Sequence, residues 1–377
     1  MTPFIYADFV YYITIKSFYL YTKQPSIQGI QNQLNRIKMK SPNLTRRQTL
    51  LTSAALLAAV ALPFTLPAAA ETGPAEVRLD FAFYSPPSLV IRKFGWAEQE
   101  FAKTNTKVRW IQSVGSNRAL EYLAADSIDF GSTAGLAAVL ARANGNPIKT
   151  VFVYSRPEWT ALAVAKDSPI KTLADLRGKR IAATKGTDPF LFALRALHTQ
   201  GMTKNDVELV HLQHADGRVA LEQKRVDAWA GLDPLLAASE LEAGTRIIYR
   251  NVSFNTYGFL NTTERFAKQY PEAVERTVRL YERARVWIQK NPDEAARLLA
   301  DEAKISLDVA KRQLARTSFD ESIPSDTHRI ALRAAASILL EEGLVKPGTN
   351  VGNVIDELIS TAPATRVAAV YPLGTTR

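Results

Sequence analysis

The stretch that decides the fold runs from Ile128 to Ala138 and reads Ile-Asp-Phe-Gly-Ser-Thr-Ala-Gly-Leu-Ala-Ala. A short apolar segment leads into Gly-Ser-Thr, and an alanine-rich helical pattern begins at once, which leaves a helix N-terminus among small hydroxyl residues. The free backbone N–H groups of a helix N-terminus, with the positive end of the helix dipole, can bind an anion or a polar oxygen. Ser132 and Thr133 would add hydroxyl donors to such a site.

A second copy of this arrangement follows about fifty residues later. The segment Ile181-Ala182-Ala183 leads into Thr184-Lys185-Gly186-Thr187-Asp188-Pro189, where Asp188 fits the N-cap and Pro189 the first helical position. Two such units predict two lobes that aim helix N-termini into a shared cleft, because ligands of open α/β sheets bind beyond the carboxyl ends of the strands. Each motif taken singly also fits simple N-capping.

Strand-like and helical segments alternate from Val77 to about Thr263, which indicates α/β sheets. Within this region Leu89–Ala102 is predicted as one helix. After Thr263 the pattern is almost wholly helical, for example in Pro271–Gln289 and Thr327–Glu342. The sequence thus predicts an α/β fold with a helical C-terminal segment.

The chain has 377 residues, of which 46% are hydrophobic, and this favours two domains over one. Its formal net charge is +10, which by itself would suggest a nucleic-acid partner. Residues 1–70, however, contain seven Lys or Arg and one acidic residue, so they account for most of that charge. The rest of the sequence has neither an RNA-binding aromatic strand motif nor zinc-finger spacing, and we therefore expect no nucleic acid.

Residues 1–70 are predicted to be an export leader. Arg46-Arg47 precedes an apolar run, Leu50 to Leu66, and the small residues Ala68-Ala69-Ala70 follow as a cleavage signal. We expect residues 39–70 to be a signal peptide and the mature protein to be periplasmic, with an upstream start codon wrongly chosen. The residue after the arginine pair departs from the twin-arginine consensus, so the twin-arginine and general export routes both stay open. A membrane anchor is the alternative.

The sequence contains no cysteine, which excludes disulfides, a cysteine-linked lipid anchor and thiolate chemistry. Its histidines lack metal-ligand spacing, and His211 and His214 are expected to be surface or packing residues. We therefore expect no metal and no cofactor.

Several segments resemble one known family. They are Ser168-Pro169-Ile170-Lys171-Thr172-Leu173-Ala174-Asp175-Leu176-Arg177-Gly178-Lys179-Arg180-Ile181, then Lys185-Gly186-Thr187, and Val226-Asp227-Ala228-Trp229-Ala230 with Asp233-Pro234. Together with Ile128–Thr133 they look like the aliphatic sulfonate, taurine and nitrate group of periplasmic substrate-binding proteins. The resemblance covers roughly residues 77–362 and implies a two-lobed type II periplasmic binding protein that delivers its ligand to an ABC importer.

The resemblance also implies a domain organisation and partners. Residues 71–163 and 254–377 would form lobe 1 with the C-terminal helices, and residues 164–253 would form lobe 2. A monomer would capture a small-molecule ligand by hinge closure and meet the membrane permease transiently. A sulfinate desulfinase and an enzyme of thiamin precursor synthesis share the fold, but both depend on cysteine chemistry. We therefore expect a binding protein and no catalytic residue.

Carried over position by position, the resemblance implies ligand contacts after the first two strands, around the two hydroxyl-rich turns and near the crossover between the lobes. These residues are Tyr84, Ser85, Gly115, Ser116, Ser132, Thr133, Gly186, Thr187, Trp229 and Asp233. Glu158 and Trp159 near the crossover are further candidates, as is Asp188, where the sequence departs from the family pattern by placing a carboxylate. Trp229 fits a core aromatic equally well, and Asp233 fits an N-cap before Pro234.

The predicted ligand is an aliphatic sulfonate, but two carboxylates favour a nitrogen-bearing alternative. Glu158 and Asp188 would repel a purely anionic ligand in a partly desolvated cleft. Asp188 can cap its helix, whereas Glu158 would still need a partner. A protonated amine beside Glu158 and Trp159 would supply one, so taurine or a thiamin-related pyrimidine is the alternative ligand. An acid–base enzyme that uses the two carboxylates also stays open.

Overall fold

The structure is a computed structural model, and it describes residues 73–370. The strands are β1 (Glu76–Phe81), β2 (Lys107–Gln112), β3 (Phe130–Ala134), β4 (Ile148–Pro157), β5 (Thr160–Val164), β6 (Arg180–Ala182), β7 (Glu208–Val210), β8 (Ala228–Leu232), β9 (Arg246–Tyr249), β10 (Gly258–Thr263) and β11 (Thr317–Ser318). The α-helices are α1 (Pro86–Lys93), α2 (Trp96–Ala102), α3 (Ser116–Ala124), α4 (Gly135–Ala143), α5 (Asp188–His198), α6 (His214–Glu222), α7 (Leu235–Glu242), α8 (Glu264–Gln269), α9 (Pro271–Lys290), α10 (Pro292–Ala303), α11 (Leu307–Ala315), α12 (Asp326–Glu341), α13 (Val351–Leu358) and α14 (Ala362–Val370).

The strands form two sheets. The first has the order β11-β4-β10-β3-β1-β2, and the second has the order β7-β6-β8-β5-β9. Each sheet contains three neighbouring parallel strands, namely β2, β1 and β3 in the first and β7, β6 and β8 in the second. Antiparallel strands extend each sheet, because β10 pairs with β3 and β4, and β5 pairs with β8 and β9. The predicted α/β fold with a helical C-terminal segment is confirmed.

Helices cover the sheets, and the central strands are accordingly buried on both faces. Every residue of β3, β5, β8 and β10 is buried. Helix α9 packs against α1 and β4, where Phe130, Phe152 and Tyr281 belong to one hydrophobic core. A second core includes residues of α4 and α12 beside the first sheet and of α5 and β5 in the second. The helices α4 and α5 are in direct contact, so the two sheets share buried surface.

The chain passes between the sheets twice. The first passage lies between Pro157 at the end of β4 and Thr160 at the start of β5, and the second lies between Tyr249 of β9 and Gly258 of β10. Strand β5 belongs to the second sheet, although the predicted boundary at residue 164 assigns most of it to lobe 1. The extents of the two lobes stay a prediction.

Two local predictions are wrong. The single helix over Leu89–Ala102 is two helices, α1 and α2, because Gly95 between them adopts a left-handed conformation with a φ of 63°. The residues Gly131-Ser132-Thr133, which are expected around the N-terminus of the following helix, instead belong to strand β3, since β10 pairs with them in antiparallel register. Helix α4 begins at Gly135.

The predicted leader and its cleavage site lie outside the described residues. Within residues 73–370, no helix is long and apolar enough to cross a membrane. In the same part of the chain, no group of three or more His, Cys, Asp or Glu residues could hold a metal ion.

Candidate functional site

Two helix N-termini, one beside each sheet, meet at a threonine between the sheets. The backbone N–H of Leu136, in the first turn of α4, donates to Thr256 Oγ1 at 3.1 Å. The Thr256 hydroxyl donates in turn to Asp188 Oδ1 at 2.7 Å, and Asp188 is the first residue of α5. The two strand–helix units that the sequence predicts thus come together, but a carboxylate of the protein itself lies between them.

Asp188 connects the two passages of the chain between the sheets. Its Oδ2 accepts from the backbone N–H of Thr256 at 2.8 Å and from Trp159 Nε1 at 3.0 Å. The N-cap of α5 is Thr187, whose hydroxyl donates to Thr184 O at 2.6 Å. The predicted N-cap role of Asp188 is therefore wrong, because its side chain bonds to other segments and not to its own helix. We call Trp159, Asp188 and Thr256 the Asp188 contact.

The Asp188 carboxyl is buried, and burial raises its pKa. The hydrogen bonds from Thr256 and Trp159 favour the charged form and oppose that rise. The carboxylate of Asp188 is thus held by three hydrogen bonds within the protein, and ligand contact by Asp188 stays a prediction.

The hydroxyl groups at the end of β3 are engaged within the first sheet. Ser132 donates through its backbone N–H and its Oγ to the carboxylate of Asp80 in β1, at 2.8 and 3.0 Å. Tyr84 donates through its hydroxyl to Ser132 O at 3.0 Å. Thr133 Oγ1 accepts from Asn261 Nδ2 at 2.6 Å. These bonds hold β3 in place, and ligand contact by Ser132 and Thr133 stays a prediction.

The buried carboxyl of Asp80 is a residue that the sequence analysis missed. Burial raises its pKa to about 6, even though Ser132 bonds to its charged form. Ser132 Oγ also lies 3.2 Å from Ser85 Oγ and 3.4 Å from the hydroxyl of Tyr281 in α9. The strand Glu76–Phe81 alternates charged and apolar residues, so its sequence alone does not distinguish the buried Asp80 from a carboxylate on a solvent-facing side.

The sheets meet a second time where α3 approaches α6. Gly115 is the N-cap of α3, and no side chain among the described residues caps this helix. His214, the first residue of α6, is so close that a Cβ atom on Gly115 would lie 3.0 Å from His214 Nε2 and 2.8 Å from Asn117 Oδ1. A side chain at position 115 would force Asn117 or His214 to shift. We call Gly115, Asn117 and His214 the His214 contact.

Two further predicted contact residues border the His214 contact. Ser116 Oγ accepts from the backbone N–H of Ala134 at 2.9 Å. Gly186, with a φ of 79°, faces the Asn117 side chain. A cavity of about 860 Å³ adjoins Asn117 and Gly186, between α3, α4 and the turns before α5 and α6. Its wall includes Leu120, Ala137, Leu140 and Lys185.

Glu158 has a partner in the protein. Its Oε1 lies 3.5 Å from Arg250 Nη1, and both side chains are about one quarter exposed, at 25% and 23%. The expectation that Glu158 lacks a partner is therefore wrong. The hypothesis that its carboxylate contacts a ligand amine rested on the need for a positively charged partner, and Arg250 already supplies that charge.

The predicted contacts Trp229 and Asp233 lie in β8 and just after it. Trp229 is buried in the core of the second sheet, and a Cβ on Gly217 would lie 2.8 Å from its Nε1. Asp233 Oδ1 accepts from the backbone N–H of Ala237 in α7 at 2.9 Å and lies 3.4 Å from Arg316 Nη1. Burial raises the pKa of Asp233 to about 6. These placements agree with the core and helix-end alternatives for the two residues.

Comparison with known proteins gives consistent results. A family model described as NMT1/THI5 like matches residues 95–295. A putative aliphatic sulfonates-binding protein of Bacillus subtilis is 28% identical over 74% of this chain and 86% of its own length. The solved alkanesulfonate-binding protein SsuA from Xanthomonas axonopodis, bound to MOPS, has a TM-score of 0.70 and 25% identity over 76% of this chain and 99% of that one.

A further solved structure has the same architecture. The periplasmic aliphatic sulphonate binding protein SsuA from Escherichia coli has a TM-score of 0.66 and 26% identity, and the match covers 76% of this chain and 92% of that chain. Both structural matches cover a larger share of the chain than the family model does. The chain, which the family model matches over more than half of its length, belongs to the NMT1/THI5-like family and has the fold of the periplasmic binding proteins.

Proposed function

We propose that the protein is an exported solute-binding protein that captures an organic sulfonate between its two lobes and delivers it to an ABC importer. The observation that carries the proposal is the uncapped N-terminus of α3, which Gly115 holds against the N-terminus of α6 from the other sheet. Free N–H groups at helix N-termini bind oxyanions well. Relatives and structural neighbours that are named for sulfonate binding support the same ligand class.

Binding and not catalysis is the activity that we propose. The buried carboxyls Asp80 and Asp188 both accept hydrogen bonds from the protein, so neither is a free general base. The sequence has no cysteine, which removes nucleophilic thiolate chemistry. The ligand would bind one lobe, and contacts from the other would then stabilise the closed form that a membrane permease recognises.

Among the predicted contacts, we propose that Gly115, Ser116 and Gly186 face the ligand. Trp159 and Asp188 would serve the hinge, and the remaining predicted contacts would hold the walls of the cleft. The protein would act as a periplasmic monomer after cleavage of residues 39–70. N-terminal sequencing of the exported protein tests that step, and retention of residues 2–38 would contradict it.

A thermal-unfolding series on the purified protein tests the ligand class. Ethanesulfonate, taurine and nitrate would each be added at increasing concentration, with sodium chloride as the ionic control. A true ligand at 100 times its Kd stabilises the folded state by about 2.7 kcal/mol, which raises the Tm by several degrees. If nitrate stabilises the protein and neither sulfonate does, the proposed ligand class is wrong.

A further inference from the structure

We propose that His214 selects ligands that carry a hydrogen-bond donor, and that the donor group of the ligand bonds to His214 Nε2 beside the N-terminus of α3. The inference rests on the proposed function, because it specifies which organic sulfonates the cleft prefers. It concerns the neutral imidazole at the start of α6, which the sequence analysis treated as a surface or packing residue.

The hydrogen bonds of Thr184 fix the tautomer of His214. Thr184 Oγ1 lies 2.8 Å from Leu212 O, a carbonyl that can only accept, so the single hydroxyl proton of Thr184 is used there. His214 Nδ1 lies 3.1 Å from the same Oγ1 and must therefore donate to it. This leaves His214 Nε2 without a proton and makes it an acceptor. Burial lowers the pKa of His214 to about 3, so the imidazole is neutral at pH 7.

The acceptor at His214 Nε2 is buried and has no donor. The residue is 2% exposed, and Nε2 has no hydrogen-bond partner among the described residues. Asn117 Oδ1, which points at the same face of Gly115, is a second buried acceptor without a partner. Buried polar atoms are nearly always paired, so two unpaired acceptors at one point indicate that a donor from outside the protein belongs there.

The helix end opposite His214 supplies donors instead of acceptors. Gly115 brings no side chain to the N-terminus of α3, and Ser116 Oγ is engaged by the backbone of Ala134. The backbone N–H of Arg118 donates to Gly115 O at 3.0 Å, so the N–H groups of Ser116 and Asn117, for which the described residues show no acceptor, are the ones left for a ligand oxygen. A group that accepts from α3 and also donates to His214 is a hydroxyl, and an amine beside a sulfonate oxygen can do the same.

This arrangement discriminates between sulfonates of similar size. An unsubstituted alkanesulfonate offers only acceptors and leaves His214 Nε2 unpaired in the closed cleft. A hydroxy- or amino-substituted sulfonate pairs it. Sites built to bond a ligand hydroxyl discriminate strongly against analogues that lack it, because the buried protein group is then left without a partner.

The test compares isethionate, which is 2-hydroxyethanesulfonate, with ethanesulfonate by titration calorimetry. We expect the wild-type protein to bind isethionate about tenfold more tightly, as one hydrogen bond allows. His214→Asn keeps an amide near the Nδ1 position for Thr184 but removes the Nε2 acceptor, and its preference should fall to about one. His214→Gln places an amide oxygen near the Nε2 position and should retain most of the preference.

Each outcome decides the matter. Equal binding of the two sulfonates by the wild type, or an unchanged preference in His214→Asn, overturns the inference and leaves the proposed function intact. In that case the Asn117 amide, turned over, supplies the donor. Binding of neither sulfonate overturns the proposed function and the inference with it. If His214→Asn does not fold, the wild-type ratio and the His214→Gln ratio still decide.

Discussion

The two places where the sheets meet, the Asp188 contact and the His214 contact, have the same ingredients and opposite hydrogen bonding. Asp188 and His214 are both buried, and each contact joins a helix N-terminus beside one sheet to a helix N-terminus beside the other. In the Asp188 contact the carboxylate accepts three hydrogen bonds. In the His214 contact two acceptors have no donor among the described residues. A contact whose acceptors all have donors in the protein can hold a hinge together. A contact whose acceptors have no donor can bind a ligand that supplies one.

Replacing Asp188 should have the largest effect on stability, because it removes the carboxylate that accepts all three hydrogen bonds of the Asp188 contact. In Asp188→Ala, Trp159 Nε1 and the backbone N–H of Thr256 lose their acceptor inside the protein. We expect the free energy of unfolding to fall by about 4 kcal/mol, as two or three stranded buried donors require. Urea denaturation measures this loss.

Asp188→Asn is the matched control for that experiment. It keeps the shape of the side chain and one acceptor oxygen, so its loss should be smaller than that of Asp188→Ala. A loss below about 1 kcal/mol in the alanine variant would show that the Asp188 contact does not hold the two passages of the chain together.

Asp80 is a buried aspartate like Asp188, but its hydrogen bonds stay within the first sheet. Its contribution to stability therefore reflects burial and not the joining of the two sheets. Its pKa is about 6, raised from 3.8, so the folded state binds a proton more tightly than the unfolded state. The contribution of this group to stability is therefore complete below pH 4 and is lost as the pH rises to 6. The loss amounts to about 3 kcal/mol.

The measurement for Asp80 is the difference in unfolding free energy between the wild type and Asp80→Asn at several pH values. Asp233, whose pKa is also about 6, is common to both proteins and cancels. We expect the wild type to lose about 3 kcal/mol relative to the variant between pH 4 and pH 7. A difference that does not vary with pH would mean that the Asp80 pKa is not raised.

Gly115 tests the His214 contact directly. Its φ of 169° is extended backbone that any residue adopts, so Gly115→Ala changes only the space at the contact. The new methyl group would meet His214 and Asn117, and overpacking of this kind costs about 1 to 3 kcal/mol. We expect that cost to appear in ligand affinity, because the lobes must close against the methyl group.

A double variant supplies the control for Gly115. Adding His214→Ala to Gly115→Ala removes the ring that the methyl group meets. The double variant should therefore lose less ligand affinity than the sum of the two single losses. Strict additivity of the two effects on affinity would show that His214 and Gly115 do not approach each other in the closed form.

Much of the fold was predictable because helix and strand patterns are local. Strand β9, Arg246–Tyr249, is an example, because Ile247, Ile248 and Tyr249 are residues that favour strands. The Gly131-Ser132-Thr133 segment was not predictable in this way, because its strand pairing depends on β10, which lies more than a hundred residues later. The role of Asp188 likewise depends on Trp159 and Thr256, which no local pattern connects to it.

Of the candidate site, the sequence indicated Gly115 and Gly186 through the resemblance, and the structure brings both beside Asn117. His214 was not among the predicted site residues, because the feature that singles it out is the unpaired Nε2 and this depends on contacts distant in the sequence. Thr184 fixes one ring nitrogen and leaves the other unpaired. Such an imbalance is visible only when every donor and acceptor is placed.

The smallest expected effect is that of Glu158→Gln. This variant tests whether the hydrogen-bond donor of the ligand bonds to Glu158 or to His214. The backbone holds this segment, since Glu158 N donates to Arg316 O at 2.7 Å and Arg250 Nη1 donates to Glu158 O at 3.2 Å. The side-chain pair with Arg250 is partly exposed, and such pairs contribute less than about 1 kcal/mol. We therefore expect Glu158→Gln to leave both the stability and the ratio of taurine to ethanesulfonate affinity nearly unchanged, whereas His214→Asn should lower that ratio.

Titration calorimetry of the two variants side by side measures the affinity ratio. A ratio that falls in Glu158→Gln and not in His214→Asn would place the donor site at the crossover, and the contrast between the Asp188 and His214 contacts would then be reversed.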